Sequence, residues 1–296
     1  MSHFLSPVFG PGFFDSTTVG IAVVVGTVVA VVAGTVGVFT VMRGQSFAGE
    51  ALGDIGTTGG SGAFLVSAGP LGGFVAISVV AAGAMELIGI QRPRGRDLAT
   101  GIVLGAALGL AALFLYLDAT YHNTTGATVT ILFGSIFAIS GSTVPAVVVL
   151  SALVVALLTL LYRPLLLSSV SPELAAARGI PVRAVGALYL LALAISVALA
   201  ALTIGTILST ALLVGPAATA LRVTRRPATA ILAAGLIGVG ATWVGIVLAY
   251  DSFSWSSAGH AWPVSFFVVT LVFVLYLLSG VPELWRAHAR RTPPVR

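Results

Sequence analysis

The sequence predicts an all-α, polytopic membrane bundle of about eight to ten helices, and three observations lead there. Of 296 residues, 58% are hydrophobic and only 8% are charged, whereas an ordinary soluble domain is about a quarter charged. Mean hydropathy is +1.10. Apolar runs close to the ~20 residues needed to cross a bilayer core recur along the chain, so residues 1–296 read as one membrane domain with no soluble domain between the runs.

Taken in order, apolar spans are expected at 18–42, 51–68, 71–90, 98–117, 143–162, 183–203, 206–222, 229–250 and 263–282. Ahead of the first, MSHFLSPVFGPGFFDST contains no Arg or Lys, so the positive region of a cleavable signal peptide is missing and the first run is expected to stay as a helix. Segment 126–142 is too interrupted for a separate crossing and reads as a re-entrant or broken helix, which a membrane tolerates only where protein buries it. Pro216, inside the span 206–222, is expected to kink or break its helix. Gly101, Gly105 and Gly109 recur every four residues, which puts them on one helix face and predicts close approach of a neighbouring helix.

All fourteen basic residues are arginine. With nine crossings they fall on one side: Arg43; Arg92, Arg94 and Arg96; Arg163, Arg178 and Arg183; Arg222, Arg225 and Arg226; and Arg286, Arg290, Arg291 and Arg296 in a short basic tail, 284–296. The positive-inside rule makes that side the cytoplasm, so the N-terminus is expected outside and the C-terminus inside. A pI near 10.2 then reflects membrane orientation, and arginines scattered over short loops make no nucleic-acid footprint.

Absences narrow the function. Without lysine there is neither a P-loop lysine nor a Schiff-base lysine, and without cysteine there is neither a disulfide nor a thiolate metal ligand. No GxSxG elbow occurs, Ile139-Ser140-Gly141-Ser142 being the nearest stretch.

Two polar stretches stand out. The longest interruption, Leu165–Pro181, is expected to be a cytoplasmic loop containing a helix of about two turns. Ser171 sits at its cap, Pro172 at the first helical position and Glu173 in the first turn; Gly179 and Pro181 end it. It suits either an ordinary amphipathic connector or a peg that docks into a cytoplasmic partner. The other stretch is SFAGEALGDIG at 46–56, where Glu50 and Asp54 enter a chain that avoids charge. Their i to i+4 spacing places both on one helix face. Asp54 lies about 12 Å along the helix from Ser46, at a depth where an ionisable group normally faces the bundle interior or a water-filled path. In the competing reading Ser46 caps this helix and Glu50 complements its dipole. His122 and His260 in outer loops, Glu86 near the Arg92 cluster and Asp97 at a helix start read as solvated or structural.

The ordered set GVFTVMRGQSFAGEAL at 37–52, RDLATGIVLGAALGL at 96–110, LFGSIFAIS at 132–140, SPELAAARGIP at 171–181 and GTILSTALLVGPAATA at 205–220 resembles the permease subunit of the ABC-3 importers, a family that carries zinc, manganese or iron. The resemblance covers nearly the whole chain. It implies a multi-pass protein of a bacterial cytoplasmic membrane that is not itself an enzyme. A second permease protomer, two cytoplasmic ABC ATPase subunits and an extracytoplasmic metal-binding lipoprotein would be its partners. No cofactor is implied in this chain; the divalent metal ion is the substrate. The resemblance also implies that Pro172–Gly179 is the coupling helix, with Ser171, Pro172, Glu173, Ala176, Arg178 and Gly179 as ATPase-coupling residues, and that Glu50 and Asp54 are the metal-handling pair. Members of the family usually show Asp at the position of Glu50 and His at that of Asp54. Two carboxylates and no imidazole make a harder site, better suited to manganese than to zinc. The alternative is a secondary cation transporter or channel with no ATPase.

Overall fold

The computed structural model describes residues 16–88, 96–121, 125–134, 136–255 and 262–289. Among these the chain forms twelve α-helices and no strand: α1 (Thr17–Met42), α2 (Ser46–Leu65), α3 (Pro70–Ile88), α4 (Arg96–Tyr121), α5 (Thr125–Phe133), α6 (Val144–Leu160), α7 (Tyr162–Val170), α8 (Pro172–Ala177), α9 (Val182–Ile204), α10 (Thr206–Val223), α11 (Pro227–Trp255) and α12 (Val264–Ala289). Eight of them, α1, α3, α4, α6 with the turn before it, α9, α10, α11 and α12, are long and apolar enough to cross a membrane. His122, His260, Arg92, Arg94 and the tail beyond Ala289 lie outside the described residues.

The bundle is organised around α9, whose span is 78% buried and which packs on α1, α2, α3, α6 and α10. By contrast α4 is only 17% buried and α6 22%. Their outer faces carry Ile102, Leu110, Leu113, Val149 and Leu153, the apolar side chains a lipid-embedded helix presents. Helix α1 packs along α11 and α10, and α2 lies chiefly against α3 and α4.

Four expectations are corrected. The second span was expected at 51–68, but its helix begins at Ser46 and ends at Leu65. Glu50, Asp54 and six glycines keep it outside the eight apolar spans. The interruption at 165–181 is mostly helix: the chain turns at Leu161 and continues as α7 before α8 begins. Of the kink or break expected at Pro216, the break does not occur: α10 runs unbroken from Thr206 to Val223. Finally, a Cβ added at Gly101, Gly105 or Gly109 would meet nothing within 4 Å, so that glycine face packs on no helix of this chain. Periodicity showed that the three glycines share a face, but it could not show which way the face points. The segment 126–142 is a broken helix, as expected: α5 ends at Phe133, Gly134 takes φ +74°, and 3-10 turns follow at Ile136–Ala138 and Gly141–Thr143.

Close glycine packing occurs elsewhere, between α2 and α3. A Cβ at Gly59 would run into the carbonyl of Gly73, and one at Gly73 into the carbonyl of Gly59. The two backbones touch, and neither position has room for a methyl group. Gly73→Ala is therefore expected to destabilise the bundle by about 1–3 kcal/mol through overpacking, while Gly105→Leu changes stability by no more than about 0.5 kcal/mol. Thermal unfolding of the two variants in the same detergent measures the contrast.

Candidate metal path and docking helix

The carboxylate helix is clamped on three sides. Gly49 lies against Leu193 and Leu213, Gly53 against Val197 and Ser209, and Gly56 and Gly60 against Phe74. Thr58 Oγ1 donates to the Ala107 carbonyl of α4 at 2.7 Å, and Ser78 Oγ of α3 donates to the Leu52 carbonyl at 3.4 Å. Helices α3, α9, α10 and α4 thus cover the rest of the circumference, and one strip stays open. Phe47 and Glu50 are exposed on it and Asp54 is half-buried, between neighbours that are all buried from Ala48 to Ser61. The spacing 47, 50, 54 is that of a single helix face.

Both predicted metal residues lie on this strip, with Cβ atoms about 5–6 Å apart as the i to i+4 spacing dictates. Ser46 does not cap the helix. It is the first helical residue; Gln45 occupies the cap and makes no side-chain cap bond. The capping interpretation of this stretch fails on that point, and the carboxylates lie one and two turns inside the helix. Beyond them on the same face stand Thr57 and Ser61, which sequence reading passed over. Thr57 Oγ1 donates to the Asp54 carbonyl and Ser61 Oγ to the Thr57 carbonyl at 2.7 Å. The hydroxyl protons are thus committed to the helix backbone, and the oxygens keep free lone pairs. Among the described residues no group of three or more His, Cys, Asp or Glu side chains converges on one point. The pair therefore supplies charge without a complete protein coordination shell.

The second predicted element is built as its residues suggested. Ser171 caps α8, its Oγ accepting from Leu174 N–H at 3.3 Å, with Pro172 at the first position and Glu173 in the first turn. Arg178 ends the helix. Gly179 follows with φ +77°; its N–H donates to the Ala176 carbonyl at 2.9 Å and Ile180 N–H to the Ala175 carbonyl at 3.0 Å. Those two bonds and a left-handed residue between them make a Schellman ending, which glycine adopts without strain. Only Ala175 of this helix is buried; Pro172, Glu173, Leu174, Ala176 and Arg178 are exposed, so α8 stands off the bundle on α7 and α9.

The chain matches the model of the ABC 3 transport family over residues 16–280. It belongs to that family. Its relatives include the "Manganese transport system membrane protein MntC" of Halalkalibacterium halodurans, 31% identical across 77% of this chain and 78% of that protein. The "Manganese import system permease protein ScaB" of Streptococcus gordonii is 28% identical across 82% and 86%. The "High-affinity zinc uptake system membrane protein ZnuB" of Haemophilus influenzae is 27% identical across 70% and 78%. Among solved structures, a chain of PsaBC from Streptococcus pneumoniae in complex with Fab superposes with a TM-score of 0.78 at 24% identity, covering 95% of each chain; at that identity the likeness concerns the fold.

The ending of α8 generates a local test. A β-branched residue at Gly179 is strained by about 1–2 kcal/mol in the left-handed conformation, so Gly179→Val should unwind the last turn of α8 while the bundle stays folded. Hydrogen exchange at the Arg178, Gly179 and Ile180 amides is expected to accelerate in the variant, with α9 protection unchanged.

Proposed function

We propose that this chain is the permease subunit of an ATP-driven importer of divalent transition-metal ions, and that Glu50 and Asp54 line the path of the ion. One observation carries the reading: the single open strip of an otherwise enclosed helix holds both carboxylates. An isolated charge pair in a membrane bundle is costly unless it meets water or a counter-cation, and two carboxylates balance one divalent ion. At an effective dielectric near 20, a unit-charge pair 4 Å apart is worth about 4 kcal/mol. The loss of one carboxylate charge thus exceeds a tenfold change in ion affinity. Waters, hydroxyls such as Thr57, or groups across the open strip would complete the shell. Oxygen donors favour manganese over zinc, and the names of MntC and ScaB support that order, with ZnuB keeping zinc in view.

The remaining assembly follows the same reading. With no P-loop lysine in the chain, ATP hydrolysis falls to two ABC ATPase subunits, which we place on the exposed face of α8 at the cytoplasmic side. A second permease protomer closes the open strip of α2, and an extracytoplasmic metal-binding lipoprotein delivers the ion. Counted together with α2, the eight apolar spans make nine crossings, for which the arginine distribution supports an N-terminus outside and a C-terminus inside the cytoplasmic membrane of a bacterium.

In vesicles holding the whole transporter, Glu50→Gln combined with Asp54→Asn is expected to lower manganese uptake by about tenfold or more without loss of assembly, because size and hydrogen bonding persist while charge is removed. Asp54→His should shift the preference towards zinc. Uptake at the parental rate in the double variant would take the carboxylates off the path, and uptake independent of ATP would make the chain a secondary transporter or channel. Glu173→Ala is expected to weaken co-purification of the ATPase while the permease stays folded; unchanged co-purification and transport would remove α8 from the interface.

A further inference from the structure

Sequence reading uses Arg43 only as a marker of membrane sidedness. In the structure its side chain turns inward and joins three elements. Arg43 is the C-cap of α1, and the turn after it is short and fixed: Gly44 takes φ +61°, its N–H donates to the Val41 carbonyl at 3.1 Å, and Gln45 N–H donates to the Thr40 carbonyl at 2.9 Å. Helix α2 begins at the next residue, so Arg43 stands at the root of the carboxylate helix, seven residues before Glu50.

From that root Arg43 Nη1 donates to Ser168 Oγ at 3.1 Å and to Ser169 Oγ at 3.4 Å, both on α7. Each serine hydroxyl donates its own proton to the Leu165 carbonyl, at 3.0 and 2.6 Å, so both oxygens present lone pairs to the guanidinium. The guanidinium carbon lies 5.1 Å from the centroid of the Tyr189 ring on α9, within the range of a cation–π contact. Tyr189 is fully buried and its hydroxyl lies 2.8 Å from Thr40 Oγ1. Thr40 Oγ1 donates to the Val36 carbonyl at 2.9 Å, so the tyrosine is the donor and its ring is fixed to α1. Phe39 adds an edge contact with Tyr162 of α7, centroids 6.1 Å apart.

Helices α7 and α9 are the two limbs between which α8 hangs. One arginine at the base of α2 therefore grips both limbs. We propose that Arg43 is a positioning residue for transport: it ties displacement of the docking helix α8 to reorientation of α2, so that the carboxylate strip is re-aimed when α8 moves. A turn with two backbone bonds and no spare residue leaves little slack between Arg43 and Ser46. The two hydroxyl partners, Ser168 buried and Ser169 half-buried, hold the guanidinium in one geometry, which lysine, as a compact point charge, would not reproduce. This inference rests on the assignment of α8 as the ATPase-docking element and of α2 as the metal helix.

The test reads the metal imported per ATP hydrolysed by the whole transporter, isolated through a tag on this chain and reconstituted with its binding protein and radiolabelled manganese. The variants are Ser168→Ala with Ser169→Ala, Tyr189→Phe, Arg43→Lys and Arg43→Gln; the first two remove hydroxyls only and keep the fold. The expected result is ATP hydrolysis within about twofold of the parent in the serine and tyrosine variants, with the import-to-hydrolysis ratio down at least fivefold. Arg43→Lys should fall with Arg43→Gln rather than with the parent. A parental ratio in the serine double variant and in Tyr189→Phe overturns the proposal, as does a parallel loss of import and hydrolysis that leaves the ratio unchanged. A parent transporter that imports neither manganese nor zinc at the expense of ATP overturns the functional reading itself, and the proposal with it.

Discussion

Everything distinctive about this bundle depends on how α2 is held. A helix with six glycines in twenty residues has little side-chain surface with which to pack, and in lipid no hydrophobic force drives helices together. The structure meets this with close approach to the main chain of α2: the backbones of Gly59 and Gly73 touch, and the side chains of Ser209 and Leu213 come up against Gly53 and Gly49. The helix is thereby immobilised on three sides while its fourth carries Glu50 and Asp54. A bulkier helix could be buried as well, but not with neighbours close enough for Thr58 to bond α4 and Ser78 to bond α2.

This arrangement explains why a segment of such modest apolarity sits so deep. The polar groups of α2 follow one another along the helix: carboxylates on the open strip, then the buried hydroxyls of Thr57 and Ser61 whose protons are already engaged. Towards the other end, the short turn at Gly44 connects the helix to Arg43 and through it to α7 and α9. The carboxylates of the open strip and the exposed helix α8 are thus joined through a few side chains, of which Ser168 and Tyr189 are buried and Arg43 and Ser169 half-buried.

Much of the fold was legible because a bilayer imposes length and apolarity on every crossing, and runs such as 183–203 and 263–282 meet both. Helix α8 was legible because cap, first-turn proline and terminal glycine each have a local cause. What escaped depends on through-space relations. The direction of the Gly101, Gly105 and Gly109 face is set by which helices lie nearby, and the close contact of Gly59 with Gly73 joins residues with no shared period. Helix α7 hid in LLLSSV because a nine-residue helix makes too little pattern to separate from a loop. Arg43 read as a sidedness marker because its partners lie 125, 126 and 146 residues away. The break in α5, by contrast, was signalled by the interrupted apolarity around Gly134.

The central claim is that the open strip of α2 is a water-filled cation path. The chain has no cysteine, so single replacements can be labelled without background. In the assembled transporter in vesicles, the Phe47→Cys variant, on the open strip with both carboxylates intact, is expected to react with a membrane-impermeant thiol reagent and to be protected by manganese, while the Ala48→Cys variant, on the buried side of the same turn, stays unreactive. Absence of labelling at position 47, or labelling that manganese does not slow, would contradict the account.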